Sequence, residues 1–170
     1  MVSAALSFDD KATERRAYQV AAQVLDPEIP VLTIEDLGIL RGVRLDEQGR
    51  VAADLTPTYS GCPAVLAIEL AVETALRAAG FEPIINRVIS PAWTTDWITS
   101  KGRDKLTAYG IAPPVKGENS KRALFGETTV TCPHCQSTET EKVSEFGSTA
   151  CKALYRCTTC AEPFDYFKCI

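Results

Sequence analysis

Ala17, Val20, Ala21 and Val24 recur at helical spacing behind two aspartates, Asp9 and Asp10, either of which can cap a helix. That helix has to end near Asp26-Pro27, because proline disfavours helical backbone at the residue before it. Residues 26–38 mix acids and apolar side chains around two prolines and show no period. They predict an ordered loop with one short helical turn started by Thr33. Two alternating runs follow, Ile39/Val43/Leu45 and Val51/Ala53/Leu55, on either side of a turn-forming segment at 46–50. They predict an antiparallel hairpin. Residues 63–79 predict a helix, with Pro63 at its first position and Gly80 as its stop. Its polar residues Glu69, Glu73 and Arg77 form one narrow stripe, so the other faces are expected to be buried. Residues 84–89 predict a third strand, and 93–109 a helix ending at Gly110. This order predicts an α+β class, a small β-sheet with helices packed on one face, over residues 9–112.

Periodicity then lapses. Pro113, Pro114, Gly117, Asn119, Ser120 and Gly126 mark a linker over 113–129. Residues 130–170 form a second domain too small to build much apolar core, and such a domain needs a metal or a crosslink. Strands are expected within it at 138–146, 151–156 and 164–169.

Composition narrows the function. Of 170 residues, 45% are apolar and 24% charged, the balance of a chain that buries a core. No run of 18 apolar residues occurs, so no membrane-spanning segment is expected. The net charge is −4, and residues 113–170 carry seven bases against seven acids. No basic face for nucleic acid is expected. The first ten residues carry two acids and no base, unlike a secretory leader, so a cytoplasmic, reducing compartment is expected.

Six of the seven cysteines lie in the last 39 residues. Cys132-Pro133-His134-Cys135 and Cys157-Thr158-Thr159-Cys160 are two CxxC knuckles separated by 21 residues. Each turns two sulfurs inward, and together they offer four thiolates in a tetrahedron, the layout of a zinc ribbon. A structural Zn(2+) is the main expectation; four cysteines also bind a single iron or an iron–sulfur cluster. Cys151 and Cys169 fall outside the four, either as small buried side chains or as a second thiol site. His134, the sole histidine, is expected beside the metal or exposed rather than as a fifth ligand.

Cys62 stands alone, where a strand ends, a glycine turn follows and a helix begins. A helix N-terminus stabilises a thiolate, so its pKa is expected to fall; the residues alone fit a functional thiol and a buried inert one equally well. Asp26, Glu28 and Asp36 lie nearby if the acidic loop folds over this turn, as hard ligands or as backbone caps. Trp93 and Trp97, four apart, are expected on one helix face, as core or as a partner-binding patch. With one histidine and no phosphate loop or HExxH, no catalytic constellation is found and no enzyme is expected.

Asp26-Pro27-Glu28-Ile29-Pro30, Asp36-Leu37-Gly38-Ile39 and Gly61-Cys62-Pro63 resemble the signature of the small iron–sulfur assembly domain. That domain is shared by SufT-type bacterial proteins and the cytosolic iron–sulfur targeting factor of eukaryotes. Residues 58–64, 91–98 and 110–114, with the CPHC, FGSTACKALYRC and EPFDYFKCI segments, resemble the PaaD family across nearly the whole chain. These are accessory subunits of the bacterial phenylacetyl-CoA epoxidase system. The resemblance implies help in assembling or maintaining metal centres during aerobic phenylacetate breakdown, with the reductase or the di-iron subunit as partner. It also implies Cys62 as the functional thiol and a transient iron or iron–sulfur cluster as cargo. A small electron carrier and a structural subunit of the oxygenase stay open as alternatives, and so does a homodimer.

Overall fold

The computed structural model describes residues 8–59, 61–114 and 129–168. The chain divides into two compact units between Ala92 and Trp93.

In the first unit, α1 (Phe8–Ala22) carries Asp9 and Asp10 in its first turn. Ala17 and Ala21 are fully buried, as their spacing requires. The loop that follows is ordered by its own side chains. Asp26 Oδ1 accepts from the backbone N–H groups of Glu28 and Ile29, both at 2.8 Å. Thr33 does start a helical turn. Its hydroxyl accepts from Asp36 N (3.0 Å) while Asp36 Oδ2 accepts from Thr33 N (3.1 Å), a reciprocal cap. Ile29, Leu32, Ile34 and Leu37 are thereby driven into the core.

Strands β1 (Leu40–Leu45) and β2 (Val51–Leu55) pair antiparallel, closed by a turn in which Gly49 adopts φ +77°. Helix α2 (Val65–Ala78) then crosses over to β3 (Pro83–Arg87), which lies parallel to β2. The sheet order is β1-β2-β3. Along β2, Val51, Ala53 and Leu55 point to the helical face. On that face Arg87 grips Glu69 of α2 through two 2.8 Å bonds. The opposite face is polar around Asp54, which binds Asn86 (2.9 Å) and Arg44. One expectation fails on α2. Ile68, Val72 and Leu76 are buried, yet Leu66 and Leu70 are not. A helix apolar on nearly every face has too little core to cover it in so small a sheet.

The second unit is built on a four-stranded sheet of order β4-β7-β6-β5. Strands β5 (Thr140–Ser144), β6 (Lys152–Cys157) and β7 (Pro163–Phe167) are the antiparallel three of the expected ribbon. The fourth, β4 (Ile111–Ala112), runs parallel to β7. Residues 93–112, expected with the first domain, therefore group with the ribbon. Residues 115–128 of the expected linker lie outside those described. Tyr155 packs against Phe164 and Tyr166 with ring centroids 6.0 and 5.5 Å away.

The helix expected over 93–109 is broken. A 3₁₀ turn (Thr95–Trp97) precedes α3 (Ser100–Ala108), and the backbone at Ile98 and Thr99 is extended between them. Thr99 caps α3 by accepting from Gly102 N at 2.9 Å, which stops the helix from running back to Trp93. Buried Arg103 binds the carbonyls of Thr95 (2.6 Å) and Pro114, and Gly110 ends α3 at φ +86°.

The β5–β6 turn shows why Gly147 is glycine. A Cβ there would overlap Asp165 Oδ1 and come within 3.2 Å of Lys152 Cβ. Asp165 cannot easily yield, since Ser148 Oγ holds it at 2.6 Å and buried Lys152 lies 3.8 Å away. Gly147→Ala is expected to destabilise this unit by about 1–3 kcal/mol, read by urea denaturation. An unchanged midpoint would mean that Asp165 swings free.

Candidate functional site

Two places carry chemistry, one in each unit. In the second unit, Cys132, Cys135, Cys157 and Cys160 place their sulfurs within 4.8 Å of one another. Four sulfurs about 2.3 Å from one zinc stand roughly 3.8 Å apart. Here Cys132 lies 3.8 Å from Cys160, and Cys135 lies 3.5 Å from Cys157. The donor set and spacing fit a tetrahedral thiolate site. Among the described residues, no other group of His, Cys, Asp or Glu meets the same test.

Local backbone chemistry forms the knuckles. Gln136 N donates to Cys132 O (3.0 Å) and Cys132 N to Ser137 O (2.9 Å), while Cys157 N donates to Glu162 O (3.0 Å). The residue after each second cysteine takes a left-handed conformation, Gln136 at φ 62° and Ala161 at φ 64°. Ser137 and Thr159 hydroxyls join the two knuckles at 2.8 Å, a tie that the CxxC spacing alone did not reveal. Hydrogen bonds from the backbone N–H groups of Cys160 and Thr159, with the neighbouring thiols, lower the Cys157 thiol to about 6. Cys160 goes the other way, to about 12. The Glu162 backbone N–H lowers it, but burial and the other three thiols outweigh that bond. Four thiolates this close need a cation between them.

Cys132 and Cys157 are fully buried, whereas Cys135 and His134 are exposed. The His134 ring faces Gly110, 3.4 Å from where a Cβ would stand. Cys151 is buried, with its sulfur 3.0 Å from Thr149 Oγ1. Its expected companion Cys169 lies outside the described residues. Trp93 is buried, its ring 6.2 Å from that of Phe167, and Trp97 is half-buried at the end of the 3₁₀ turn. The two share no helix face, because Trp93 precedes any helix.

In the first unit, Cys62 closes a turn by donating its N–H to Tyr59 O at 3.2 Å. It lies two residues before the α2 N-cap, Ala64, and is half-buried. The expected fall in its pKa is reversed. Burial pushes the thiol up, and the charges of Glu28 and Asp26 push it further. The Ala64 backbone N–H and the Thr58 hydroxyl, both hydrogen-bonded to the sulfur, pull against that rise. The acidic loop thus comes within electrostatic reach of Cys62 through Glu28 and Asp26. Asp26 and Asp36 also act as backbone caps, Asp26 for Glu28 N and Asp36 for Thr33 N. Thr58 was missed by the sequence reading, although its place four residues before Cys62 was a usable signal.

Alkylation of Cys62 by iodoacetamide is therefore expected to accelerate only above the pH range of an ordinary thiol. Glu28→Gln removes a charge that raises the pKa, so it is expected to speed alkylation at neutral pH by about 2–5-fold. The rate is read by mass spectrometry of the Cys62 peptide. No change in the variant would mean that burial alone sets the pKa.

Comparison with known proteins agrees with this division. Residues 16–81 match the family described as iron-sulfur cluster assembly protein, and residues 116–168 match the PaaD zinc beta ribbon domain. A solved structure from Bacillus anthracis, a domain of unknown function DUF59, aligns with a TM-score of 0.54 at 27% identity. It covers 58% of this chain and 94% of that one. The chain is thus an α+β iron–sulfur assembly domain joined to a zinc ribbon. It is 30% identical to the "Fe-S protein maturation auxiliary factor YitW" of Bacillus subtilis, over 59% of this chain and 91% of that protein. It is 51% identical to a "Putative 1,2-phenylacetyl-CoA epoxidase" component of Escherichia coli, over 90% of this chain and 91% of that protein. The chain belongs to the PaaD family. Among the described residues no helix is long and apolar enough to cross a membrane.

Proposed function

We propose that this protein is a cytoplasmic, non-catalytic factor that matures the metal centres of a phenylacetyl-CoA epoxidase-type oxygenase. Iron or an iron–sulfur cluster is cargo, handed to the reductase or the di-iron subunit. Cys62 is the functional thiol, with Glu28 and Asp26 as its acidic neighbours. Zn(2+) held by Cys132, Cys135, Cys157 and Cys160 closes the ribbon, and its chemistry is to neutralise four thiolates. The reading rests on one coincidence: the residues matched to the iron–sulfur assembly family include Cys62, Asp26 and Glu28, and the fold brings these within electrostatic reach of one another.

The two carboxylates give the site its character. Burial first, and the two carboxylates after it, raise the Cys62 thiol, so the thiol must give up its proton when a cation binds. An incoming iron reverses the balance, since both carboxylates then favour the cation. Such a site binds weakly and releases readily, which suits transfer rather than storage.

The test is to produce the oxygenase components with and without this chain and to measure iron, acid-labile sulfide and turnover in each. Lower metal content in one component without the chain supports the reading and names the client. Full metal content in every component without it defeats the reading. A fixed-stoichiometry complex would favour the structural subunit, and iron absorption from the ribbon would favour the electron carrier.

A further inference from the structure

We propose that Thr58 is a positioning residue for Cys62, its buried hydroxyl setting how readily the sulfur becomes a thiolate for an incoming cation; the inference rests on the cargo role of Cys62 proposed above. Thr58 stands three residues after β2 ends and is only 9% exposed. Its hydroxyl and the Ala64 backbone N–H both hydrogen-bond to the Cys62 sulfur. One donor precedes the turn that Cys62 N closes on Tyr59 O, and the other follows it. The Ala64 N–H belongs to the backbone and stays whatever the side chains are. The Thr58 hydroxyl is the donor that a side chain supplies.

A neutral hydroxyl suits this task better than a charge. Reactive thiolates are commonly stabilised by a neighbouring histidine or lysine cation. Here the species to be taken up is itself a cation, which a positive side chain would repel. A hydroxyl donates without that repulsion. It also serves both states of the sulfur: it can accept from the S–H, and it rotates to donate once the proton has left to solvent. Branching at Cβ leaves Thr58 few rotamers, and burial strengthens its bond. Glu28 and Asp26 of the acidic loop are the charges that oppose the thiolate. Thr58 offsets them without weakening their attraction for the cation. Thr56 provides a contrast. Its hydroxyl is also buried, yet it has no hydrogen-bond partner among the described residues.

The rate of Cys62 alkylation by iodoacetamide in the zinc-loaded full chain, from neutral to strongly alkaline pH, tests this. Thr58→Val keeps the shape and removes the hydroxyl. It is expected to move the profile to higher pH and slow alkylation at neutral pH by roughly tenfold, with the alkaline plateau unchanged. Thr58→Ser returns the donor and is expected to restore the wild-type profile. Thr56→Val is expected to leave the profile in place. Thr58→Ala repeats the measurement where valine alters the far-UV circular dichroism spectrum. An unmoved profile in Thr58→Val and Thr58→Ala overturns the proposal, and so does equal slowing at every pH, the mark of altered access alone. Iron and acid-labile sulfide in the client separate this inference from the reading beneath it. A moved profile with normal client loading upholds Thr58 and defeats the cargo role of Cys62. An unmoved profile with lost loading defeats Thr58 and spares that role.

Discussion

Cys157→Ser is expected to unfold the ribbon and leave the first unit standing. Residues 129–168 have a small core, centred on Val130, Ala153, Tyr155, Phe164 and Tyr166. So few apolar side chains barely offset the entropy of ordering the strands. The four thiolates supply the rest when they hold zinc, for which apparent binding energies of about 10–16 kcal/mol are typical of small zinc domains. Cys157 is itself part of the core, so its replacement mixes two effects. Cys135→Ser separates them. Cys135 is exposed and fills no core, so its loss acts only through the metal. Both variants are expected to lose zinc and the near-UV signal of Tyr155 and Tyr166. Chelation of the wild type is expected to do the same, and so is acid, because protons compete with the metal for the thiolates. The first unit keeps its own transition, as expected from a compact unit with its own sheet and core. Retained ribbon signal and zinc in Cys135→Ser would show that the metal is not the staple.

Local chemistry was legible in the sequence, and long-range pairing was not. The hairpin of β1 and β2 could be read because alternation and turn composition lie within 16 residues. The Thr33–Asp36 turn could be read because both capping groups are three apart. The knuckles could be read because two CxxC pairs have few other uses. The parallel β2–β3 ladder carries no such mark; its partners are joined through a helix and only burial selects them. Strand β4 is two residues long, too short for any period, yet it moves residues 93–112 into the ribbon unit. On α2 the stripe of Glu69, Glu73 and Arg77 marks the outward side, and at about 100° per residue Leu66 and Leu70 fall within or beside it, so reading every apolar position as buried puts them inside wrongly. For Cys62, sequence showed the helix start and offered Glu28 and Asp26 as neighbours, but not the burial that outweighs the helix end.

Cys62→Ser is expected to keep the fold and lose the function. The position is half-buried, and the Thr58 hydroxyl and Ala64 N–H that meet the sulfur also suit a hydroxyl. The stability cost is expected to be at most about 1 kcal/mol. Serine cannot supply a thiolate to a soft metal, so delivery of iron or cluster is expected to fall at least tenfold. Zinc content should not change, since the four ribbon cysteines lie in the other unit. Cys151→Ser is the control. That thiol is buried against Thr149, and the change is expected to leave delivery intact. Glu28→Gln should fall between the two, because it frees the thiolate but removes a charge that favours the cation. The readout is acid-labile sulfide and iron in the client after co-production with each variant. Normal client loading by Cys62→Ser would remove Cys62 from the mechanism. Loss in Cys135→Ser together with normal loading by Cys62→Ser would assign the work to the ribbon.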